Sequence, residues 1–192
     1  MAFIEIRNYG FAYPSKEEKA LDGISLEIEA GEFILLCGES GSGKSTLLRS
    51  LKPELSPFGT RQGAIFYCGG DITALDERAS ASQIGFVMQN PDAQPVTDKV
   101  WHELAFGLEN LGFEPPVIRR RVAEMASFFG IQGWFRSDVD SLSGGQKQIL
   151  NLACVMAMQP KLLILDEPTS QLDPVASREF LETVVRLNRE LS

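Results

Sequence analysis

Three short segments of the chain carry residue types suited to phosphate chemistry. The first, Gly38 to Ser45, has the pattern G-x-x-x-x-G-K-[ST] and follows the apolar run Phe33 to Cys37. Glycines in such a loop let successive backbone N–H groups point inward, Lys44 can neutralise β- and γ-phosphates, and Ser45 can place its hydroxyl on Mg²⁺. The pattern predicts a triphosphate-binding loop. Its candidate contacts are Gly38, Ser40, Gly41, Gly43, Lys44, Ser45 and Thr46.

The second segment is an acidic pair, Asp166 and Glu167, directly after the apolar run Leu162 to Leu165. A carboxylate at the end of a buried strand is suited to hold Mg²⁺ through water, which predicts Asp166 as a metal-site residue. Glu167 points to the other side of the pleat and is the candidate general base for an attacking water. The alternative, a cap for the next helix, is disfavoured because Pro168 to Ser170 follows.

The third segment, Leu142 to Gln146, contains two glycines and a serine before the helical run Lys147 to Met158. It predicts a helix N-terminus able to hold an anionic oxygen, although taken alone it could be an ordinary helix start.

These three segments, in this order, resemble the nucleotide-binding domain of ATP-binding cassette (ABC) transporters over nearly all of the 192 residues. The resemblance implies an α/β fold: a P-loop NTPase core with a parallel sheet, an N-terminal antiparallel β subdomain and an inserted helical subdomain at about 98–158. It also implies an ATPase that uses ATP and Mg²⁺. Ser143 and Gly145 would close over the γ-phosphate bound by a second cassette, so that each site is shared across a dimer.

Three further roles follow from the same resemblance. Gln89 matches the glutamine that senses Mg²⁺ and the membrane subunit, and we treat it as both a catalytic and a metal-site candidate. Asp173 matches the aspartate that crosses the dimer interface. Tyr13 matches the aromatic residue that stacks on adenine, although an aromatic residue there is equally suited to a strand-end core position.

The elements that would position these residues are visible in the hydrophobic pattern. Near-alternating runs at 3–7, 24–28 and 64–67 predict antiparallel strands, whereas the continuous apolar runs at 33–37, 84–88 and 162–165 predict parallel strands covered on both faces. Helical spacing appears from Asp98 to about Ser141, with Val122, Met125, Ala126 and Phe129 on one face, and again from Val175 to Leu191.

Charge and composition exclude several classes of protein. Lys and Arg number 18 against 26 Asp and Glu, a formal net charge of −8, so a nucleic-acid partner is not expected. The cluster Arg119 to Arg121 fits a solvated helix face. No apolar run is long enough to span a bilayer and the N-terminus lacks the pattern of a signal peptide, which predicts a cytosolic chain. The resemblance to ABC transporters implies that this chain is a peripheral protein at the cytoplasmic face of the membrane. The three cysteines lack metal-ligand spacing and are expected to be reduced core residues.

The stretches at 89–94 and 103–112 resemble the ATPases of energy-coupling factor (ECF) importers, which take up vitamins or transition-metal ions. The match extends to proteins with two cassettes in one chain, of which this would be the N-terminal half. The second cassette is thus either the other half of such a protein or, in a homodimer, a copy of the same chain. Apolar residues between Asp98 and Gly112, notably Trp101 and Phe106, are expected to help form a groove for a short helix of an integral membrane subunit.

Rival interpretations are another ABC importer, a soluble cassette ATPase of DNA maintenance, and a nucleotide-binding regulatory domain that does not hydrolyse. The short interval between Gln89 and Leu142 leaves no room for the long coiled coil of a DNA-maintenance ATPase, and the presence of Asp166 and Glu167 disfavours the non-hydrolysing class.

The family also carries a histidine on a strand after the helix with which this sequence ends. The single histidine here, His102, lies before Leu142 and is expected at an interface or surface. We therefore expect a chain truncated before the histidine-bearing strand, weakly active in hydrolysis when alone.

Overall fold

The computed structural model describes residues 2–14 and 18–191. Contacts divide the chain into two compact units, one ending at Ser80 and the other beginning at Ala81.

The first unit is built on an antiparallel sheet with the strand order β2-β1-β3-β4. Its strands are β1 (Ile4–Ala12), β2 (Leu21–Ile28), β3 (Thr60–Tyr67) and β4 (Gly70–Asp71). The three predicted antiparallel strands are thereby confirmed. Along β1 the buried hydrophobic side chains are Ile4 and Ile6, then Tyr9 and Phe11, because the pairing register shifts after Ile6 and reverses the face that each side chain takes.

The predicted strand at 33–37 is wrong. The segment belongs to no strand in the described part of the chain, and its four apolar side chains from Phe33 to Leu36 are exposed, Leu35 by 78%. A parallel strand is stable only where neighbouring strands satisfy its backbone and helices cover its faces. An apolar run supplies neither of these partners by itself. The phosphate loop is followed by a helix, α1 (Lys44–Ser50).

The second unit contains a pair of parallel strands, which confirms the other two predicted runs. β5 (Ile84–Val87) pairs with β6 (Leu162–Leu165), with Ile84 opposite Leu162 and Val87 opposite Leu165. A short helix, α2 (Glu77–Gln83), precedes β5. A Cβ atom on Gly85 would lie 2.4 Å from Val155 Cγ1, so this glycine permits close helix packing on the strand.

Four longer helices complete the unit: α3 (Val100–Asn110), α4 (Pro115–Phe128), α5 (Gly144–Ala157) and α6 (Pro174–Leu191). α3, α4 and one face of α5 enclose a core that includes Leu104, Leu108 and Leu150. The other face of α5 packs with β5 and α6 through Leu152 and Phe180. The predicted helical segments are confirmed, while the limits of a helical subdomain at about 98–158 stay a prediction.

Two smaller expectations need correction. Arg119 and Arg120 are exposed, but Arg121 is half-buried: its Nη1 donates to Ala157 O at 3.2 Å, at the end of α5. Cys37 and Cys68 are exposed rather than buried. Cys68 occupies the two-residue turn between β3 and β4 with a φ of 48°, and a turn at a hairpin tip faces solvent.

None of the helices within residues 2–14 and 18–191 combines the length and the apolar character that a bilayer crossing requires.

Candidate functional site

The phosphate loop curls as its glycines predict. Gly41 and Gly43 have φ values of 82° and 94°, in the region that glycine adopts without strain, and a Cβ on Gly43 would lie 2.4 Å from Ala20 O. Lys44 Nζ donates to Gly38 O at 3.0 Å and to Glu39 O at 2.8 Å. The ammonium group is thus held over the loop, the position from which it can meet a phosphate oxygen.

Tyr13 lies against the same loop and helix. Its hydroxyl is 2.9 Å from Thr46 Oγ1, and its ring meets Phe11 edge-on at 4.9 Å between centroids. Tyr13 is half-buried and Thr46 is buried, so the structure brings these two candidates together. The contact with Phe11 also supports the core interpretation, and both uses of the ring remain compatible.

The acidic pair and Gln89 meet at the carboxyl ends of β5 and β6. Asp166 is only 1% exposed, and its backbone N–H donates to Val87 O at 3.1 Å. Glu167 is exposed, and its Oε2 accepts a hydrogen bond of 2.9 Å from Gln89 Nε2. One carboxylate of the pair is therefore buried, and the other is directed outward beside Gln89.

Glu167 also adopts an unusual backbone conformation, with a φ of 45°. A residue other than glycine rarely adopts this conformation because Cβ crowds the backbone, at a cost of order 1 kcal/mol. The strain lies at the residue for which the sequence predicts a catalytic role.

The start of α5 is a capping box. Ser143 Oγ accepts from Gln146 N at 3.3 Å, and Gln146 Oε1 accepts from Ser143 N at 2.9 Å. Gly145 has a packing reason to be glycine, because a Cβ there would lie 2.9 Å from Ala176 Cβ. The predicted helix start is confirmed, and the proposed contacts of Ser143 and Gly145 with a γ-phosphate remain a hypothesis.

Asp173 caps the last helix. Its Oδ1 accepts from the backbone N–H groups of Val175 and Ala176, both at 2.9 Å. The interface role expected for Asp173 is a separate prediction, and the cap explains only its local structure.

Several residues that hold the segment after Gln89 were not predicted. Gln94 Oε1 accepts from Met88 N at 2.9 Å, and its Nε2 donates to Phe86 O at 3.2 Å. The carboxylate of Glu103, which is 6% exposed, accepts from Val96 N and Thr97 N. A polar residue inside an otherwise apolar helix face, as Glu103 is in α3, is the signal that could have revealed one of these positions.

His102 is partly exposed and stacks on Trp101, with 5.2 Å between the ring centroids. Its Nε2 lies 3.7 Å from Glu109 Oε2, at the surface of α3. The expectation of a surface position is met.

Residues 21–170 match the family described as ABC transporter. The chain belongs to the ABC transporter family. It is an ABC ATPase domain, with the α/β fold that the motifs predict.

Among solved structures, cbiO1 from Clostridium perfringens, part of the ABC transporter complex cbiONQ, is similar with a TM-score of 0.86 and 32% identity. The likeness covers 99% of this chain and 75% of that one. The ATP-binding cassette MJ0796, in a dimeric post-hydrolysis state bound to ADP and Pi, gives a TM-score of 0.81 at 25% identity. That likeness covers 97% of this chain and 83% of the other.

Among curated relatives, a protein of Bacillus cereus named as an ABC transporter ATP-binding protein is 52% identical over 191 residues, covering 100% of this chain. A similarly named protein of Methanosarcina acetivorans is 42% identical and covers 98%. The chain spans about a third of the length of these relatives, 34% and 30%.

The cysteines of the cassette provide a first test of the phosphate loop. Cys37 directly precedes Gly38 and is exposed, as is Cys68 in its hairpin, whereas burial raises the pKa of the Cys154 thiol well above its usual range. MgATP at ten times its Kd should slow alkylation of Cys37 about tenfold, because a triphosphate bound in the loop blocks access of the reagent to the neighbouring thiol. Mass spectrometry of iodoacetamide-treated protein reports each cysteine separately.

Cys68 is the matched control and should react at the same rate with and without nucleotide, while Cys154 should stay unmodified in the folded protein. If nucleotide slowed the alkylation of Cys37 and Cys68 equally, its effect would be a general stabilisation of the fold and not protection of the loop.

Proposed function

We propose that this cassette binds and hydrolyses ATP to power import of a vitamin or a transition-metal ion through an ECF-type ABC transporter. It would act with a second cassette and with integral membrane subunits, at the cytoplasmic face of the membrane. The hydrogen bond between Gln89 and Glu167 beside the buried Asp166 carries the hydrolytic part of the proposal. The likeness to cbiO1, from a transporter complex, supports the choice of importer.

In the proposed reaction, Glu167 accepts a proton from a water molecule as the water oxygen bonds to the γ-phosphorus of ATP. The bond from that phosphorus to the β–γ bridging oxygen breaks, releasing ADP and inorganic phosphate. Gln89 holds one oxygen of the Glu167 carboxylate, which orients the base. Lys44 stabilises the charge that builds on the phosphate oxygens.

The side-chain types of Ser45, Gln89 and Asp166 suit Mg²⁺, and we propose that these residues would hold it. Ser45 offers a hydroxyl oxygen and Asp166 a carboxylate, the hard oxygen ligands that this ion prefers, and a buried carboxylate is stabilised by a nearby cation. The ion would neutralise the triphosphate. Ser143, Gly145 and Asp173 are proposed to face the second cassette, and Tyr13 to stack on the adenine.

A groove in the second unit suits the membrane partner. It has a volume of about 620 Å³ and is lined mainly by apolar side chains, with Glu109 and Arg119 as its charged members. Trp101, 45% exposed, lines it, whereas Phe106, 38% exposed, does not. The other apolar lining residues are Ala105, Phe113, Pro115, Ile118, Val122, Ala123 and Phe135. We propose that a short amphipathic helix of the membrane subunit occupies this groove.

Docking of a membrane-subunit helix in this groove provides a test of the transport proposal. Trp101→Ala should reduce ATP-driven uptake about tenfold or more, because large aromatic anchors carry much of the binding free energy at such contacts. Uptake of labelled substrate would be measured in proteoliposomes that contain the full-length gene product and its membrane subunits. Binding of MgATP by the variant should stay unchanged.

Phe106→Ala is the matched control, since Phe106 has similar exposure on the same helix but lies outside the groove. If both variants transport normally, the groove is not the docking site. If neither a vitamin nor a transition-metal ion is accumulated by the wild-type complex, the importer assignment fails.

A further inference from the structure

Gln148, on α5, is a fully buried polar side chain that reaches a distant segment of the chain. It is 0% exposed, and its Nε2 donates to Met88 O at 3.2 Å, across 60 positions of sequence. It lies about 6 Å along the helix axis from Gly144, one turn into α5.

The accepting carbonyl belongs to the peptide that carries Gln89. β5 ends at Val87, and both backbone groups of Met88 are bonded by glutamine side chains, the N–H by Gln94 and the carbonyl by Gln148. The carbonyl of Met88 and the N–H of Gln89 lie in one rigid peptide plane. Gln148 therefore fixes the orientation of the peptide from which the Gln89 side chain reaches Glu167.

Two other residues of α5 hold the same segment further along. Asn151 Nδ2 donates to Pro91 O at 3.0 Å, and Lys147 Nζ lies 2.5 Å from Asp92 Oδ1. These contacts fix the position of the segment on the helix. Neither one touches the peptide plane between Met88 and Gln89.

Packing alone gives no reason for an amide at position 148. Its Oε1 is buried and has no hydrogen-bond partner among the described residues, which costs stability that an apolar side chain of the same size would not lose. The bond that the other end of the amide makes to Met88 O gives a reason for an amide at this position.

We propose that Gln148 is a positioning residue for ATP hydrolysis, which holds Gln89 in register with Glu167 and ties that pair to the first turn of α5. This inference rests on the proposed function. A displacement of the Ser143 end of α5, where a second cassette's nucleotide is proposed to bind, would then be passed to the general base within one helical turn.

The test compares Gln148→Met with Asn151→Leu in the full-length gene product. Each replaces a buried amide that donates to a carbonyl of the same segment with an apolar side chain of similar size. Gln148→Met should lower kcat about tenfold or more and leave the KM for ATP within about twofold, because small misplacements of catalytic groups are costly. Asn151→Leu should keep kcat within about twofold at a comparable loss of Tm.

A second measurement excludes a general structural defect. Single-turnover phosphate release in the Gln89→Ala background should be the same with and without Gln148→Met, since a residue that acts through Gln89 has no effect once Gln89 is removed. If Gln148→Met fails to fold, Gln148→Leu also removes the donor to Met88 O without burying a charge, and the same loss of kcat is expected.

A wild-type kcat in Gln148→Met would overturn the proposal. The proposal would also be overturned if Gln148→Met slowed phosphate release by the same factor in the wild-type and the Gln89→Ala backgrounds. Failure of the proposed function has a different signature. Undiminished turnover in Glu167→Gln overturns the reaction itself, whereas loss in Glu167→Gln together with normal turnover in Gln148→Met overturns only the role of Gln148.

Discussion

Glu167→Gln is expected to lower kcat for ATP hydrolysis at least about a hundredfold while MgATP still binds. The amide keeps the size of the carboxylate and can still meet Gln89, but it cannot accept a proton from the attacking water. Phosphate release at saturating MgATP, alongside a nucleotide-binding titration, separates the two effects. The positive φ at this position argues for the near-isosteric amide over alanine or a β-branched residue.

The matched control is Glu190→Gln, which removes the same charge from an exposed residue near the end of α6. It should leave kcat unchanged. Turnover that survives in Glu167→Gln would require another base, and the assignment of the acidic pair would have to be reversed or abandoned.

Lys44→Ala should weaken MgATP binding about a hundredfold, the second-largest effect we expect. The ammonium lies over the loop, bonded to Gly38 O and Glu39 O, and its removal takes away a charge-assisted contact to the β- and γ-phosphates. Titration with a fluorescent ATP analogue measures the change directly.

Lys19→Ala serves as the comparison, because Lys19 is an exposed lysine of the same unit that pairs with Asp22 at 2.6 Å. Its affinity for nucleotide should match wild type. Equal affinity of wild type and Lys44→Ala would show that the phosphate assignment of the loop is mistaken.

The sequence correctly predicted those strands and helices that can be identified from their own hydrophobic pattern. Alternation in β1 and β3, the apolar runs of β5 and β6, and the helical spacing of α6 each reflect one element packing on one core. The run at 33–37 is continuously apolar, yet it is not a strand here, because strand formation depends on a neighbouring strand that the run itself does not encode.

The candidate site likewise contains residues that the sequence predicted and contacts that it did not. Motif spacing placed Asp166 and Glu167 correctly after a strand and Ser143 at a helix start, and Lys44 follows the glycine loop as the first residue of α1. The support given by Gln148 to Met88 was not predictable, since it depends on which face of α5 packs beside the end of β5. Hydrogen bonds between distant elements follow from tertiary packing, which a single motif does not specify.

The close approach of Gly145 to Ala176 changes how mutagenesis of this motif must be interpreted. With 2.9 Å between the Ala176 Cβ and a Cβ placed at 145, the substitution Gly145→Ala pushes the first turn of α6 away from α5 whether or not a nucleotide is near. That turn is the one capped by Asp173. A loss of activity in Gly145→Ala can therefore arise from a lost ligand contact or from a shifted Asp173. Only a compensating Ala176→Gly background distinguishes the two causes.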